Sequence, residues 1–318
     1  MSVDVSVVLV NFNTGHLLDE CFDSLFQSLG SMRNQVILVD NASEDDSLSR
    51  IKGLKEALTV VSNDQNVGFG RANNQAVPFA TGRHLLLLNT DAFVAPDTLT
   101  KTVAWMDAHP DCGVLGVRLT DREGNLQPSC RYFPTPLNTF LVRTGLQRYF
   151  PWVKPVDDVV WDHSTVRECD WVPGCYYLIR REVLDQVGLF DPRYFLYCEE
   201  VDHCKRVKAA GWKVMFYPDT SVVHIGGESA KTAGSITASG RQISALKIES
   251  ELLYIRKHYG RAGLLTQIIL LGAGDLILAT KQFIKRLLGI SSTGNFQPLL
   301  ASSWRLLVAS DWGRRPLH

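Results

Sequence analysis

Several polar side chains in this chain belong to types that can bind phosphate, coordinate a divalent cation or accept a proton. Asn89-Thr90-Asp91 follows the apolar run at residues 85–88, and a carboxylate at such a strand end can hold a cation and, with it, a phosphate. Asp40 ends an earlier apolar run, and its carboxylate can accept the N3–H of a uracil or thymine ring. Taken singly, both are also ordinary turn residues, because Asn and Asp bond their own backbone where strands end.

An acidic cluster, Glu199-Glu200-Val201-Asp202, stands at the start of a predicted helix. Acidic residues there are favoured by the helix dipole, so capping is the simplest interpretation. Three carboxylates in four residues exceed what capping needs, and their mutual repulsion should leave one partly protonated or in need of a cation. A carboxylate of this cluster near a metal site could act as a general base.

His224 ends an apolar segment and is followed at once by residues 226–240, which are rich in Gly, Ser, Ala and Thr. A lone histidine is more often structural than a metal ligand, but a small-residue loop beside it is typical of a gated site. From its composition, this loop is predicted to close over a ligand, with Lys231 or Arg241 reaching a diphosphate.

Gly68 follows Asn66 at the start of another predicted helix. A glycine there lets a backbone or a ring approach closely, and helix N-termini favour anions. The dinucleotide-binding fingerprint would need a further glycine at position 73, where this chain has Asn73. Nicotinamide or flavin binding is therefore not predicted.

The apolar spacing predicts the elements that position these side chains. Strands are expected at residues 5–10, 36–39, 59–61 and 85–88, with a helical pattern between successive strands. Such alternation with short connections is typical of a mostly parallel sheet with helices on both faces. Because right-handed crossovers bring the loops after parallel strands to one edge, we expect a polar group to meet there. Its members are Asn11, Asp40, Asn66 and Asp91.

Beyond residue 110 the pattern is less regular, with candidate strands at 114–117, 176–179 and 213–217 and a loop-rich stretch at 120–170. We predict an α/β domain over residues 1–240, with a nucleotide-binding half over 1–110 and an acceptor half over 111–240. A helical tail over residues 241–318 follows, with a helix expected from 242 to 258.

Composition limits the class of partner. Lys and Arg total 33 and Asp and Glu total 33, so nucleic acid is not an expected partner. Residues 241–318, however, carry 11 basic and 4 acidic residues, which suggests an anionic surface for the tail. The seven cysteines form no CxxC pair, and the N-terminal residues lack a basic segment. We therefore expect reduced thiols, no signal peptide and a cytoplasmic protein.

The tail contains an apolar run at residues 264–288 that bears on membrane association. A membrane span needs about 20 apolar residues, and this run is interrupted by Asp275 and by glycines. A helix lying in the membrane interface, with basic residues reaching the headgroups, is favoured over packing on the body or a partner, and over a true span. The prediction is peripheral attachment to the cytoplasmic face of the inner membrane.

Taken in order, these segments resemble the family 2 glycosyltransferases, which are inverting nucleotide-sugar transferases with the GT-A fold, a Rossmann-like α/β architecture. The resemblance covers about residues 3–230 and is nearest to bacterial rhamnosyltransferase-like members that act on lipid-linked or cell-surface glycans. The matching stretches are residues 5–13, 37–43, 66–69, 88–91, 174–181, 188–191, 199–202 and 223–224.

The resemblance implies a role for each matching residue. Asp40 would read the base, and Asn66 and the Gly68 region would lie against the nucleoside. Asp91 corresponds to the last acid of the family's DxD metal motif, and His224 to the histidine that completes the metal site. The cofactor-binding group implied in this way also includes Asn11 and Asn89.

Two departures from the family pattern affect the chemistry. Asn89 replaces the first acid of the DxD motif and cannot contribute charge to a metal site. The usual Glu-Asp pair is here Glu199-Glu200, and Glu200 stands at the position of the catalytic base. Because Glu is one methylene longer than Asp, Glu199 could share that task.

The predicted function is an inverting transfer of a sugar, with rhamnose as a candidate, from a UDP- or dTDP-sugar to an acceptor hydroxyl. The acceptor would be a lipid-linked or cell-surface glycan, Mg²⁺ or Mn²⁺ would be the cofactor, and a Glu would be the base. Two alternatives stay open: a nucleotidyltransferase acting on sugar phosphates, and a non-catalytic nucleotide-sugar-binding module. The first should carry a basic, Gly-rich loop after the first strand, and residues 11–15 contain neither Lys nor Arg.

Overall fold

A computed structural model describes residues 3–54, 57–226, 241–289 and 298–318. The chain divides into two compact units. Unit 1 comprises Met1–Arg131 and Asp157–Ile243, and unit 2 comprises Tyr132–Val156 and Ser244–His318. The last break lies close to the predicted boundary at residue 240, but residues 132–156 group with the C-terminal helices and not with the predicted acceptor half.

Unit 1 is built on a mixed sheet in the order β3-β2-β1-β4-β9-β6-β10-β5. The β1, β2, β3 and β4 strands run parallel, as do β6 and β10, whereas β9 and β5 are antiparallel to their neighbours. The strands are β1 (Val5–Asn11), β2 (Asn34–Asp40), β3 (Leu58–Ser62), β4 (His84–Asn89), β5 (Ala92–Val94), β6 (Cys112–Thr120), β7 (Leu126–Gln127), β8 (Arg167–Glu168), β9 (Tyr176–Arg180) and β10 (Lys213–His224).

The helices of unit 1 occur mainly between the strands, as the apolar spacing predicted. Leu85–Leu88 is the centre of β4 and is almost fully buried, as expected of a strand covered on both faces. The helices are α1 (Gly15–Leu29), α2 (Ser47–Arg50), α3 (Phe69–Ala76), α4 (Thr98–Ala108), α6 (Arg181–Val187) and α7 (Glu199–Ala209).

Both faces of the sheet are covered. On one face, Val7 and Leu9 of β1 belong to a core cluster with Leu18 of α1 and Val103 of α4. On the other face, the Tyr177 hydroxyl of β9 lies 2.8 Å from His203 Nδ1 of α7. Successive strand residues point to opposite faces, so strands buried on both sides read as continuous apolar runs.

Unit 2 contains α5 (Pro136–Thr144), α8 (Arg241–Leu287) and α9 (Leu300–Ala309), and the helical backbone of α8 is broken at Gly260. Asp275, the acid inside the apolar run, forms an ion pair with Arg143 of α5. Its carboxylate also accepts the backbone N–H groups of Leu299 and Leu300 at 3.2 and 2.9 Å. The charge that interrupts the run therefore joins α8 to both of the other helices of the unit.

All seven cysteines are free thiols, and Cys198 is the one that is not fully buried. This agrees with the prediction that the chain has no disulfide framework.

Candidate active site

The carboxyl ends of the central strands meet beside a cavity of about 350 Å³ in unit 1. The parallel register sets Asn11 opposite Asp40 and Val10 opposite Asn89. The predicted convergence of polar residues at one sheet edge is therefore present. The predicted residues that line the cavity are Asn66, Gly68, Asn89, Asp91, Glu199, Glu200 and His224.

Asp91 and His224 are brought together by the pairing of β5 with β10. Ala92 lies opposite His224 in this antiparallel ladder, and the backbone N–H of Ile225 donates to the Asp91 carbonyl at 3.0 Å. As a result, His224 Nε2 lies 3.6 Å from Asp91 Oδ1. Two residues that are 133 positions apart in the sequence thus share one corner of the cavity.

Gln127 of β7 orients His224, and sequence reasoning did not single it out. Its side-chain oxygen lies 3.0 Å from His224 Nδ1, and its amide nitrogen donates to the His224 carbonyl at 2.8 Å. With Nδ1 donating to Gln127, the Nε2 atom carries the lone pair. Burial lowers the pKa of His224; Asp91 opposes this shift, and Arg131 adds to it by a smaller amount. The lowered pKa favours the neutral form of the ring.

This corner fits a divalent cation. A neutral imidazole held through its other nitrogen is the usual state of a metal-binding histidine, and Asp91 supplies a carboxylate that is 5% exposed. Asn89 adds a buried amide oxygen without a hydrogen-bond partner. Within the described residues, no three Asp, Glu, His or Cys side chains form a metal cluster. A cation here would therefore need further oxygen ligands from substrate or water, as Mg²⁺ commonly has.

Glu199 and Glu200 line the same cavity from the first turn of α7. Each has a buried carboxylate oxygen with no hydrogen-bond partner. Burial raises the pKa of both, and repulsion from Glu200 raises that of Glu199 further. Arg131 acts in the opposite direction on the pKa of Glu200. A carboxylate with a raised pKa is a stronger base once it is ionised, which is the property a general base needs.

The third acid of the cluster, Asp202, does not belong to this group. It is fully buried, does not line the cavity and forms an ion pair with Arg206 at 2.9 Å, one helical turn along. Arg206 also donates to the Val187 carbonyl at 2.7 Å. Repulsion was expected among three carboxylates. It acts only between Glu199 and Glu200, because Asp202 is neutralised by Arg206.

The backbone that presents Glu199 is held in an uncommon conformation. Tyr197 and Cys198 both have positive φ, at 72° and 66°, which side chains other than glycine rarely adopt. Two residues before Tyr197, the carbonyl of Phe195 accepts the Phe69 N–H at 2.8 Å. Gly68 permits this contact, since a Cβ there would lie 2.5 Å from the Phe195 carbonyl oxygen. Such conformations persist where surrounding contacts over-determine them, often at active sites.

Asp40 and Asn11 lie behind the cavity and not on its surface. Asp40 is 1% exposed, and its carboxylate accepts the Asn11 amide at 2.9 Å and the Ser43 N–H at 3.2 Å. The neighbouring Asn41 lines the cavity and donates to Asn66 at 2.8 Å. In this structure Asp40 thus supports the loop after β2, and its role as base reader stays a prediction.

Arg131 is a cavity residue that sequence reasoning missed. Its guanidinium packs 4.8 Å from the Trp171 ring centroid, and its Nε donates to the Pro128 carbonyl at 3.0 Å. Asp157 also lies 3.0 Å from that nitrogen. Arg131 stands in the stretch without periodicity, so no sequence signal pointed to it. The two cations predicted for the diphosphate cannot be compared with it, because Lys231 and the side chain of Arg241 lie outside the described residues.

The sequence pattern of glycosyl transferase family 2 matches residues 6–188, which is more than half of the chain. The chain belongs to this family. It is therefore a glycosyltransferase, and among the three activities considered from the sequence its family supports sugar transfer. Its sheet and covering helices are those of the GT-A fold.

Two of the curated relatives of this glycosyltransferase are named rhamnosyltransferases. It is 28% identical over 238 residues to the N-acetylglucosaminyl-diphospho-decaprenol L-rhamnosyltransferase of Mycobacterium tuberculosis, covering 69% of this chain and 75% of that protein. It is also 28% identical over 167 residues to the rhamnosyltransferase WbbL of Escherichia coli, covering 49% of this chain and 60% of WbbL.

Solved structures share the fold at low sequence identity. The mannosyltransferase PcManGT of Pyrobaculum calidifontis, in complex with GDP-Man and Mn²⁺, matches with a TM-score of 0.56 at 19% identity. That match covers 98% of this glycosyltransferase and 82% of PcManGT. Residues 1–349 of S. aureus TarS match with a TM-score of 0.51 at 16% identity, covering 98% and 89% of the two chains.

Proposed function

We propose that this glycosyltransferase transfers a sugar, with inversion, from a nucleotide diphosphate to an acceptor hydroxyl, and that Glu200 is the general base. The observation that carries the proposal is a pair of carboxylates, each with one buried oxygen that has no hydrogen-bond partner, in a cavity that Asp91, His224 and Arg131 also line. The cavity therefore offers a proton acceptor together with groups suited to a diphosphate.

The proposed reaction is a single displacement. The acceptor oxygen forms a bond to the anomeric carbon while Glu200 takes its proton. The bond from the anomeric carbon to the diphosphate oxygen breaks, and its electron pair leaves with the nucleotide diphosphate. One displacement inverts the anomeric configuration, whereas retention would need a carboxylate nucleophile and a second displacement. Glu199, next to the base, is proposed to hold a proton itself and so to keep Glu200 ionised when the acceptor arrives.

The leaving diphosphate needs positive charge around it. Arg131 is proposed to meet it, because this guanidinium lines the cavity and influences the pKa of both Glu200 and His224. Asp91 and His224 are proposed to hold Mg²⁺ or Mn²⁺, with the Asn89 oxygen near them. When bound, such a cation would neutralise charge that develops on the leaving group. The Mn²⁺ in the PcManGT complex is consistent with this chemistry.

The donor and acceptor are proposed from the relatives. Two of them are named rhamnosyltransferases, and one acts on a decaprenol-linked N-acetylglucosaminyl diphosphate. We therefore propose a hexosyl donor, with dTDP-rhamnose first and UDP-sugars second, and a polyprenyl-linked or cell-surface glycan as acceptor. Asp40 remains the proposed reader of the uracil or thymine base, acting through the loop that carries Asn41.

A lipid-linked acceptor requires the enzyme to reach a membrane. Among the described helices, Ala245–Leu287, which is most of α8, is long and apolar enough to cross one, and most of its apolar stretch is not buried. We propose that it lies in the interface of the cytoplasmic membrane face, because Asp275 is already paired with Arg143 and caps α9 within unit 2.

The experiment that tests the proposal compares Glu200→Gln with the wild type. The protein is incubated with dTDP- and UDP-sugars and Mn²⁺, and release of nucleotide diphosphate is followed with and without an acceptor. Loss of the base should reduce turnover by about 10²–10⁴-fold while donor binding, measured by calorimetry, is kept. The exposed Glu182→Gln, on α6, is the matched control. Normal turnover by Glu200→Gln would refute the assignment of the base.

A further inference from the structure

Unit 2 has a surface unlike that of unit 1. Its residues include 13 Lys or Arg and 4 Asp or Glu, a net charge of +9, which leaves −9 for unit 1. Of the 21 large apolar side chains that the described residues expose, 16 belong to unit 2, although it holds less than a third of the chain. Large exposed apolar surface combined with positive charge is typical of proteins that bind anionic membrane surfaces.

Part of this surface is the outer face of α8. Five exposed apolar side chains recur on it at spacings of four and seven residues, which places them within about 40° of one another around the helix. Gly274, which lies against α5, and Asp275, which contacts both α5 and α9, lie on another side of α8. The five side chains are Leu265, Ile269, Leu276, Phe283 and Leu287.

A second part lies outside the tail, in residues 147–154 of the segment that interrupts the catalytic sequence. This aromatic turn exposes Tyr149, Phe150 and Trp152, and 73% of the Trp152 side chain is accessible. Arg148 stacks over the Tyr149 ring at 4.7 Å, and the whole segment 132–156 has three basic residues and no acid. Aromatic and basic side chains are favoured at the interface between a membrane and water.

The aromatic turn is held in shape by polar contacts. The Gln147 side chain donates to the Phe150 carbonyl at 3.2 Å and also contacts the Val153 carbonyl. The Phe150 and Trp152 rings meet edge to face, with centroids 5.4 Å apart. The segment is joined to the tail through the Arg143–Asp275 ion pair and through Lys281, which donates to the Thr144 carbonyl at 2.6 Å.

We infer that the aromatic turn is a second membrane anchor, which inserts into the interface of an anionic bilayer alongside the outer face of α8. The inference rests on the proposed function, because a lipid-linked acceptor gives the enzyme its reason to reach a membrane. The proposed partner is an anionic phospholipid surface, because the aromatic turn and the outer face of α8 expose apolar side chains in a unit with an excess of positive charge. The turn thereby makes membrane binding a property of the whole of unit 2 and not of the C-terminal tail alone.

The test is vesicle co-sedimentation of the full-length protein and of the double variant Phe150→Ser, Trp152→Ser. Vesicles contain phosphatidylcholine alone or with phosphatidylglycerol, at low and high salt. We expect the variant to lose about tenfold or more in affinity for the anionic vesicles, because binding strength scales with the apolar area that is buried. The control is Phe79→Ser, Val160→Ser, which removes two exposed apolar side chains from unit 1 and should bind as the wild type does.

Donor hydrolysis in solution is measured for every protein, so that a failure of the inference can be told from a failure of the proposed function. Undiminished vesicle binding by the double variant, or no binding by the wild type, would overturn the inference whether or not donor is hydrolysed. A wild-type dimer that becomes monomeric in the double variant would show that a second copy covers the turn, and would overturn it equally. Retained hydrolysis with lost vesicle binding supports it.

Discussion

Glu199 is buried next to a second carboxyl, so the folded protein holds its proton more tightly than the unfolded chain does. Where the folded state binds more protons, the free energy of unfolding falls as pH rises. The free energy of unfolding falls over the pH range between the ordinary pKa of a glutamate and the raised pKa of Glu199. Glu199→Gln should therefore gain stability relative to the wild type as pH increases through this interval.

The measurement for Glu199→Gln is urea-induced unfolding at a series of pH values. The difference in unfolding free energy between variant and wild type is the quantity of interest, because the wild type also contains carboxyls with lowered pKa that act in the opposite direction. The same series on Glu182→Gln, which changes an exposed acid of α6, is the control. A difference that stays constant with pH would mean that Glu199 is not protonated in the folded protein.

Arg131 lines the cavity, and its positive charge acts on the pKa of the proposed base. It lowers the pKa of Glu200 against the larger effect of burial. Arg131→Gln should therefore raise that pKa further and move the acid limb of the kcat/KM profile to higher pH. Donor affinity should fall as well, since a charge-assisted contact to the diphosphate contributes about 1.5–3 kcal/mol.

The control for Arg131→Gln is Arg167→Gln, which removes another cation of unit 1 that pairs with Asp158 and stacks on Trp161. This variant should leave the pH profile in place. Arg131→Lys should restore the position of the acid limb more fully than it restores donor affinity, because lysine keeps the charge but not the planar fork. An unshifted limb in Arg131→Gln would contradict the proposed electrostatic role.

The segment from Phe195 to α7 depends on its contact with Gly68. Gly68→Ala would strain a backbone with φ of 90° and push a Cβ against the Phe195 carbonyl. Gly124 has a similar φ of 84° but open space around it, so Gly124→Ala isolates the backbone part of the penalty. We expect about 1–2 kcal/mol for Gly124→Ala and clearly more for Gly68→Ala.

Urea-induced unfolding measures the loss of stability in both variants. Donor hydrolysis shows whether Gly68→Ala also displaces Glu199 and Glu200. Its activity should fall even where the protein remains folded. The hydrogen bond between Phe69 and Phe195 holds the chain just before Tyr197 and Cys198, the two residues with positive φ that lead into α7. Equal stability losses for the two glycine variants would mean that the segment can move away from Gly68 at little cost.

The two units of the molecule carry opposite net charge, and this predicts how membrane binding responds to charge reversal. Lys285→Glu with Arg286→Glu changes two exposed cations at the end of α8. Each basic residue near an anionic surface contributes about 1 kcal/mol, so affinity for anionic vesicles should fall by at least tenfold. Binding to neutral vesicles should change little.

A matched reversal in unit 1, Lys101→Glu with Lys213→Glu, provides the control in the same co-sedimentation assay. Both lysines are about half exposed and belong to surface ion pairs, which contribute little to stability. If this control lost as much affinity as the variant in α8, the net charge of the protein, and not the surface of unit 2, would govern binding.

Much of the architecture follows from local patterns. The apolar runs, the helical spacing and the short loops predict alternating strands and helices, and the right-handed crossover then predicts which ends meet. Asn11, Asp40, Asn66 and Asp91 could therefore be assigned to one sheet edge from the sequence. Matching this order of motifs to a known family also identified the chain as a glycosyltransferase.

The partners of the site residues could not be read in the same way. Gln127 reaches His224 because β7 pairs with β6, and Arg131 reaches the cavity because its backbone pairs with Trp171. Both lie in the irregular stretch at 120–170, where the sequence has no apolar periodicity from which the direction of a side chain could be predicted. Asp202 and Glu200 look alike in the sequence, yet Asp202 pairs with Arg206, whereas Glu200 lines the cavity with one carboxylate oxygen that has no hydrogen-bond partner.

The amino-acid order thus determined the strand ends, the family and the charge of the tail, because these depend on local periodicity and composition. Tertiary structure decided that Asp40 supports a loop, that Asp275 joins three helices and that residues 132–156 belong to unit 2. The physical reason is that a polar side chain acts on whichever group folding brings within hydrogen-bond distance. That choice depends on contacts between residues far apart in the chain.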